Sequence, residues 1–307
     1  MQVLYTGLAT GAVYGLVAMA YAVVFYVTKV INFATGQLLM ISIMVTTGLV
    51  EAKFPLALAL VIALVSSSLA GVIIYFLAVR PVLNFNRFSF AWLVSTLGVG
   101  ILLQSMAALI WGTSSLGFPK MLYGTSIRFL GGAITWQQIL TIIVAIVLMV
   151  GIEVLRKKSF SGKIAMAVSA DPETASAMGV RVGRYSAFVF ALGGLLAGIA
   201  GVLVGPISFA SPYLGQTYGI YGFVALMIGG IDNPAASMAG GLLLGVLVTI
   251  ASTYINALAA DWFPFVVVAV ALLIAPNGLF LSGSAIRKTF SRKVNVRGMQ
   301  LSSRSAQ

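Results

Sequence analysis

The intervals between charged residues constrain the fold of this chain more than any motif does. Uncharged stretches cover residues 1–28, 30–50, 54–79, 88–119, 129–152, 185–231, 233–260 and 262–286. Each meets or exceeds the roughly 20 residues an α-helix needs to cross the hydrocarbon of a bilayer. Lipid offers no partner to a backbone N–H or C=O, so such stretches close their hydrogen bonds within helices. Only 8% of the residues are charged and 60% are hydrophobic, where a water-soluble domain carries about 25% charged residues. The expected fold class is all-α, a polytopic membrane helix bundle.

The stretch 185–231 is too long for one crossing, and Gly205-Pro206 with Pro212 divides it, because proline removes a donor and clashes with the preceding turn. The expected total is therefore about nine membrane segments, spread over a transmembrane domain at 1–286 and a basic tail at 287–307. The second (Asn32 to Val50) and the seventh (about Tyr218 to Ile231) are expected to be short, broken or re-entrant. One opens on a polar cluster and the other ends in Gly229-Gly230-Ile231-Asp232-Asn233-Pro234. The N-terminus lacks a basic leader, so its apolar run reads as a first membrane helix rather than a cleaved signal.

Strict alternation across nine crossings, with the loop 156–184 on the cytoplasmic side, places fifteen basic residues inside, among them Lys29, Arg80, Arg87 and those of the tail. Lys53, Lys120 and Arg128 fall outside. That asymmetry matches the positive-inside rule and puts the C-terminus in the cytoplasm. It also accounts for the net charge of +12 through topology and contact with lipid headgroups, without nucleic acid. The tail from Arg287 to Gln307 has no acidic residue and little apolar content, the composition of a disordered, lipid-apposed end.

Catalytic and energy-coupling groups are scarce. Histidine and cysteine are absent, and the six carboxylates, Glu51, Glu153, Asp171, Glu173, Asp232 and Asp261, fall at stretch ends or in loops. Proton-coupled carriers place ionisable side chains at membrane depth, and none is available. General acid–base chemistry and metal binding lack their residues, so the expectation is no catalytic residue, no metal, no cofactor and no enzyme. Gly179-Val180-Arg181-Val182-Gly183-Arg184 has neither the spacing nor the lysine of a nucleotide-binding phosphate loop. Energy, if used, enters through another polypeptide.

The segment from Arg156 to Arg184 is the one long charged stretch between membrane-length runs. At its centre Asp171-Pro172-Glu173-Thr174-Ala175-Ser176-Ala177-Met178-Gly179 reads as a short capped helix. Asp171 suits the N-cap, Pro172 the first turn, and Gly179 the left-handed residue after the last turn. A helix of about seven residues is only ~10 Å long, a rigid knob with Ala175 and Met178 as apolar contacts and Asp171 and Glu173 as polar ones.

Polar residues inside the stretches cluster. Asn32, Thr35 and Gln37 lie together beside Phe33, Thr96 and Gln104 fall in the fourth segment, and Tyr218 and Tyr221 in the seventh. They read either as interhelical hydrogen bonding or as a weakly polar, uncharged translocation route. The stretches 31–40 and 231–244 share a texture, a polar helix-breaking entry leading through glycine into leucine. That is the pattern of discontinuous helices near a substrate path in repeat-built transporters. Glycines four apart, at Gly7, Gly11 and Gly15, Gly194 and Gly198, Gly201 and Gly205, and Gly241 and Gly245, suit close helix packing or surfaces that slide during gating.

This arrangement resembles the LivH-type permease subunits of ABC importers for branched-chain amino acids and related solutes. The likeness runs from about Tyr5 to Phe280. Its marks are Ile31-Asn32-Phe33-Ala34-Thr35-Gly36, the segment Gly162 to Val180, Gly229-Gly230-Ile231 with Gly240, Gly241 and Gly245, and Pro276-Asn277-Gly278-Leu279-Phe280. The resemblance implies an importer in a bacterial inner membrane. A second permease subunit forms a heterodimeric pore with this one, two cytoplasmic ATPase subunits dock on the permease loops, and a periplasmic or extracellular binding protein delivers the solute. It further implies that Gly162, Lys163, Ala167, Asp171, Pro172, Glu173, Ala175, Met178 and Gly179 form the element that couples to the ATPase. Many relatives carry His and Glu where this chain has Thr35 and Gln37, and Arg where it has Met166. The alternatives are a passive channel or facilitator for a small neutral solute, favoured by the uncharged interior, and a sodium-driven carrier.

Overall fold

The structure, a computed structural model, describes residues 1–85, 90–119, 126–129, 132–276 and 278–280. Arg87, Lys120, Asn277 and the tail 287–307 lie outside the described residues, as does the side chain of Arg128. In chain order the helices are α1 (Gln2–Thr28), α2 (Thr35–Glu51), α3 (Leu56–Ile74), α4 (Arg80–Phe85), α5 (Ala91–Trp111), α6 (Trp136–Lys158), α7 (Phe160–Ala170), α8 (Pro172–Ala177), α9 (Val182–Val204), α10 (Leu214–Gly229), α11 (Pro234–Tyr254) and α12 (Ala259–Ile274). A π-helical turn, Tyr75–Val79, joins α3 to α4 in one continuous rod.

Six of these elements are long and apolar enough to cross a membrane: α1, the rod Leu56–Leu83, α5, α6, α9 and α11. The second expected segment is short, α2 having 17 residues, and the seventh is α10 with 16. α12, also 16 residues, is short where the spacing of charges predicts a full crossing. The break at Gly205-Pro206 falls where proline chemistry places it, with α9 ending at Val204 and α10 opening at Leu214. Between α5 and α6 a hairpin of two three-residue strands, β1 (Ile127–Phe129) and β2 (Gly132–Ile134), pairs antiparallel. It is a departure from all-helix confined to a loop.

The helices sort into an inner and an outer set. α1 is apolar all round and packs on α11, α9, α10 and α6, which is the position such a helix must take in a bundle. The rod, α5, α6 and α12 turn large apolar side chains outward, for example Leu77, Leu109, Val147 and Leu273, which lipid accepts at no cost. Inner contacts form through small residues. A Cβ placed on Gly241 would collide with the backbone of Gly15, and one on Gly245 with the backbone of Gly11. α1 and α11 therefore touch main chain to main chain over two turns. On the opposite side Gly194 and Gly198 admit Ser67 of α3, whose hydroxyl lies 2.8 Å from the carbonyls of Leu38 and Gly194. Ser42 of α2 donates to Gly198 O at 2.9 Å. Hydroxyls thus tie α2, α3 and α9 together where dispersion alone would leave them free to slip.

Replacing Gly245 by Ala adds a methyl group where backbone already sits and is expected to cost about 1–3 kcal/mol, as overpacked cores do. At Gly151 an added methyl group would find no neighbouring atom within 4 Å, so Gly151→Ala gains helix propensity instead, up to about 1 kcal/mol. Thermal unfolding of the two variants in detergent should shift in opposite directions.

Candidate functional site

Two features of the bundle carry chemistry suited to transport: a cavity, mostly apolar but holding three glutamine amides, and a capped projection. The cavity, about 270 Å³, is lined by Tyr21 of α1, Phe33 in the turn before α2, Gln37 in the first turn of α2, Leu97, Gly100, Ile101 and Gln104 of α5, and Gly215, Gln216, Gly219, Ile220 and Phe223 of α10. The short helices α2 and α10 begin beside each other. A Cβ on Gly36 would overlap the Gly215 carbonyl and crowd Gly219, so the first turns of both helices meet with only glycine between them. Gln37 reaches across to α5, its Nε2 donating to Gln104 Oε1 at 3.2 Å. Gln37 is 6% exposed, and its own Oε1 is buried with no hydrogen-bond partner. Phe33 and Phe223 rings stand 5.3 Å apart at 45°, and Tyr21 meets Phe223 edge-on at 6.4 Å, forming an aromatic wall.

The residues singled out in the sequence divide between lining and support. Phe33, Gln37 and Gln104 line the cavity. Asn32, Thr35 and Thr96 are fully enclosed and brace it. Asn32 Oδ1 accepts from the Ala34 N–H at 3.2 Å, the Thr35 hydroxyl donates to Asn32 O at 2.6 Å, and the Phe33 N–H donates to Thr96 Oγ1 at 3.4 Å. Tyr218 and Tyr221 sit on another face of α10, packed on Tyr14 with ring centres 5.7 and 5.0 Å away. The Tyr218 hydroxyl pairs with Ser208 at 3.0 Å, and that of Tyr221 donates to Ala260 O at 3.1 Å. Tyr21, Gln216 and Phe223 complete the wall and were not singled out. The glycines at 215 and 219, four apart around Gln216, were the available signal. The shared texture of the stretches 31–40 and 231–244 has a local counterpart, since Asn233 Oδ1 accepts from the Ala235 N–H at 3.2 Å as Asn32 does from Ala34.

The projection is the segment 156–184, and it is more ordered than a loop. α6 runs to Lys158, and Ser159 both ends it and opens α7, its Oγ accepting from the Gly162 N–H at 3.0 Å. A Cβ on Gly162 would strike the carbonyl of Arg156, so glycine permits the sharp turn. α7, which the residue pattern did not separate from the loop, seats Ala165 and Val168 on the bundle and leaves Phe160, Lys163, Met166 and Ala167 exposed. The apolar spacing of Ile164, Ala165 and Val168 was its signal. Tyr185 of α9 fastens α7 from below, donating to Ser161 O at 2.6 Å.

α8 is capped at both ends. Asp171 Oδ1 accepts from the Glu173 N–H at 2.9 Å, its Oδ2 takes the Thr174 hydroxyl, and Pro172 occupies the first turn. At the other end Gly179 has φ 89°. Its N–H donates to Ser176 O at 3.0 Å, and the Val180 N–H donates to Ala175 O at 3.1 Å. That pair of bonds is the Schellman closure. Asp171, Glu173 and Met178 are exposed, Met178 by 73%. Ala175, expected as an outward apolar contact, is 2% exposed and faces its own chain. The Asp171 carboxylate, expected as a polar contact, spends both oxygens on the cap. Phe160 and Met166 supply the outward apolar surface in place of Ala175.

A bundle with six helices long and apolar enough to cross a bilayer, a cavity carrying three glutamine amides and a capped knob has the build of a multi-pass membrane permease. The model of the family described as "Branched-chain amino acid transport system / permease component" matches residues 3–275, and the chain belongs to that family. It is 30% identical over 294 residues to the high-affinity branched-chain amino acid transport system permease protein LivH of Salmonella typhimurium, covering 91% of this chain and 94% of the relative. The LivH protein of Escherichia coli K12 is 29% identical over 293 residues, with 91% and 94% covered. BraD of Pseudomonas aeruginosa is 28% identical over 293 residues, with 91% and 95% covered. No solved structure matches the chain at a significant level.

Removing either cap loosens α8 without touching the membrane core. Asp171→Ala is expected to cost about 1 kcal/mol of local stability, and Gly179→Ala about 1–2 kcal/mol, from the left-handed backbone. Amide hydrogen exchange over residues 173–178 should quicken in both variants and stay unchanged in α9.

Proposed function

We propose that this chain is a membrane-spanning subunit of an ABC importer that moves a branched-chain amino acid or a related small polar solute across the bacterial inner membrane. Separate subunits hydrolyse the ATP. The observation that carries this reading is the doubly capped α8, set on a fastened α7, outside a bundle whose cavity between α2, α5 and α10 is lined by no charged side chain. Force applied to Met178, Met166 and Phe160 passes through Ser159 and Tyr185 directly into α6 and α9. The coupling set is then Gly162, Lys163, Ala167, Asp171, Pro172, Glu173, Ala175, Met178 and Gly179. Gly162, Asp171 and Gly179 shape the element, Ala175 seats it, and Lys163, Glu173 and Met178 meet the partner.

In this reading the chain crosses the membrane nine times with its C-terminus in the cytoplasm, and α2, α10 and α12 are the short segments. A second permease subunit, two cytoplasmic ATPase subunits and an external solute-binding protein complete the importer. The path runs by Phe33, Gln37 and Gln104, with Asn32, Thr35, Thr96, Tyr218 and Tyr221 holding its walls.

Replacing Asp171-Pro172 by Gly-Gly is expected to reduce ATP-driven uptake by about tenfold, because force that bends a frayed helix, with its cap and first-turn rigidity gone, does not reach the bundle. Amount and melting temperature of the inserted protein should stay as in the parent. Undiminished uptake in that variant contradicts the coupling role. A Met178→Cys variant of this cysteine-free chain should label from the cytoplasmic side only, and ATPase docking should block it.

A further inference from the structure

We propose that the Gln37–Gln104 carboxamide pair is a solute-selecting site, and that it takes a small molecule of zero net charge presenting an N–H donor beside an oxygen acceptor. The inference rests on the permease reading above and specifies what its cavity admits. All twelve lining residues are uncharged, and their polar atoms are those of Gln37, Gln104, Gln216, the Tyr21 hydroxyl and the backbone. A solute with net charge entering this space would lose its hydration with no counter-charge to replace it.

Gln37 supplies the positive side of the selection. Buried acceptors in native proteins are satisfied with few exceptions, yet Gln37 Oε1 has no partner while the Nε2 of the same amide is held by Gln104 Oε1 at 3.2 Å. The oxygen rests against Gly215, on the wall of the cavity. The last torsion of a glutamine side chain is broad and roughly two-fold, so the amide can turn, releasing Nε2 from Gln104, to offer its oxygen to a solute N–H in the cavity. The first turns of α2 and α10 meet at the same place, and helix N-termini favour oxygen acceptors. A donor for Gln37 and an acceptor for the helix starts must therefore sit close together on one solute. An amide has that arrangement, and so has the ammonium–carboxylate pair of an amino-acid zwitterion. Phe33, Phe223, Leu97 and Ile101 take the apolar remainder.

The absence of cysteine makes this testable. At Gly100 a new Cβ meets Gln37 Cγ at 3.6 Å and Ala34 Cα at 3.7 Å, ordinary contacts, so Gly100→Cys places a single thiol in the cavity. Ile101→Cys, on the exposed rim, serves where that variant fails to accumulate. The full-length chain is labelled with N-ethylmaleimide in native membranes in the presence of four probes that share a branched aliphatic end: leucine, isobutyramide, isoamylamine and isovalerate. Leucine, isobutyramide or both should slow labelling about tenfold at roughly ten times the dissociation constant, and which of them does so separates zwitterion from amide. Isoamylamine, a cation, and isovalerate, an anion, should not protect. Adding Gln37→Leu should weaken protection about fivefold, the scale of one net hydrogen bond, measured against the same variant labelled without probe. Adding Gln37→Glu should turn protection toward isoamylamine.

Protection by the charged probes equal to that by leucine and isobutyramide, protection by none of the four, or full protection surviving Gln37→Leu overturns the proposal. No step of this measurement uses ATP. Loss of ATP-driven uptake with protection intact therefore counts against the importer reading alone, and the reverse pattern counts against the selecting site alone.

Discussion

The structure depends on main-chain contact between α1 and α11. In lipid, apolar side chains gain nothing by leaving one hydrocarbon environment for another, so helices stay together through the number of atoms in contact and the hydrogen bonds between them. Gly11 and Gly15 on one side, and Gly241 and Gly245 on the other, remove every side chain that would hold the two axes apart. The resulting pair is the spine on which α9, α10 and α6 assemble, and α1 accordingly exposes almost none of its middle turns.

The spine leaves the short helices to define the interior. α2 and α10 both start where Gly36 and Gly215 touch, and starting there is what opens the cavity. A full-length helix in either place would fill the space with its own preceding turn. Polar groups that have no business facing lipid are collected around those two starts: Asn32, Thr35 and Thr96 are tied to backbone atoms and Gln37 to Gln104, while the oxygen of Gln37 has no partner. Outside the bundle the same logic runs in reverse. α8 is too short to be stable by itself, and it persists because Asp171, Gly179 and the buried Ala175 secure its two ends and its underside.

Much of this was legible in the residues. Charge spacing picked out stretches that hold the six helices long and apolar enough to cross a membrane, Gly205-Pro206 marked the break, and the capping residues of α8 announced its start and its left-handed exit. The resemblance drawn from short marks agrees with a family match over residues 3–275. α7 was harder to see, because its eleven residues carry a helical apolar spacing too short to stand out beside membrane-length runs. The polar residues were visible as a set, yet the division between those that line the cavity and those that brace it was not. Tyr218 and Gln216 are two residues apart, and in a helix that puts them on opposite faces.

Local rules written in the residues settled the solvent each stretch must occupy, where helices are forced to stop, which ends are capped, and the lack of ionisable chemistry within the stretches. Which neighbour each helix meets was decided at the level of the assembled bundle. That Gln37 finds Gln104, that Ala175 turns inward while Met166 turns outward, and that Tyr21 closes a wall with Phe223 are outcomes of long-range packing. Residues 67 or about 200 positions apart are brought together by the shape of their helices, and no local pattern encodes that shape.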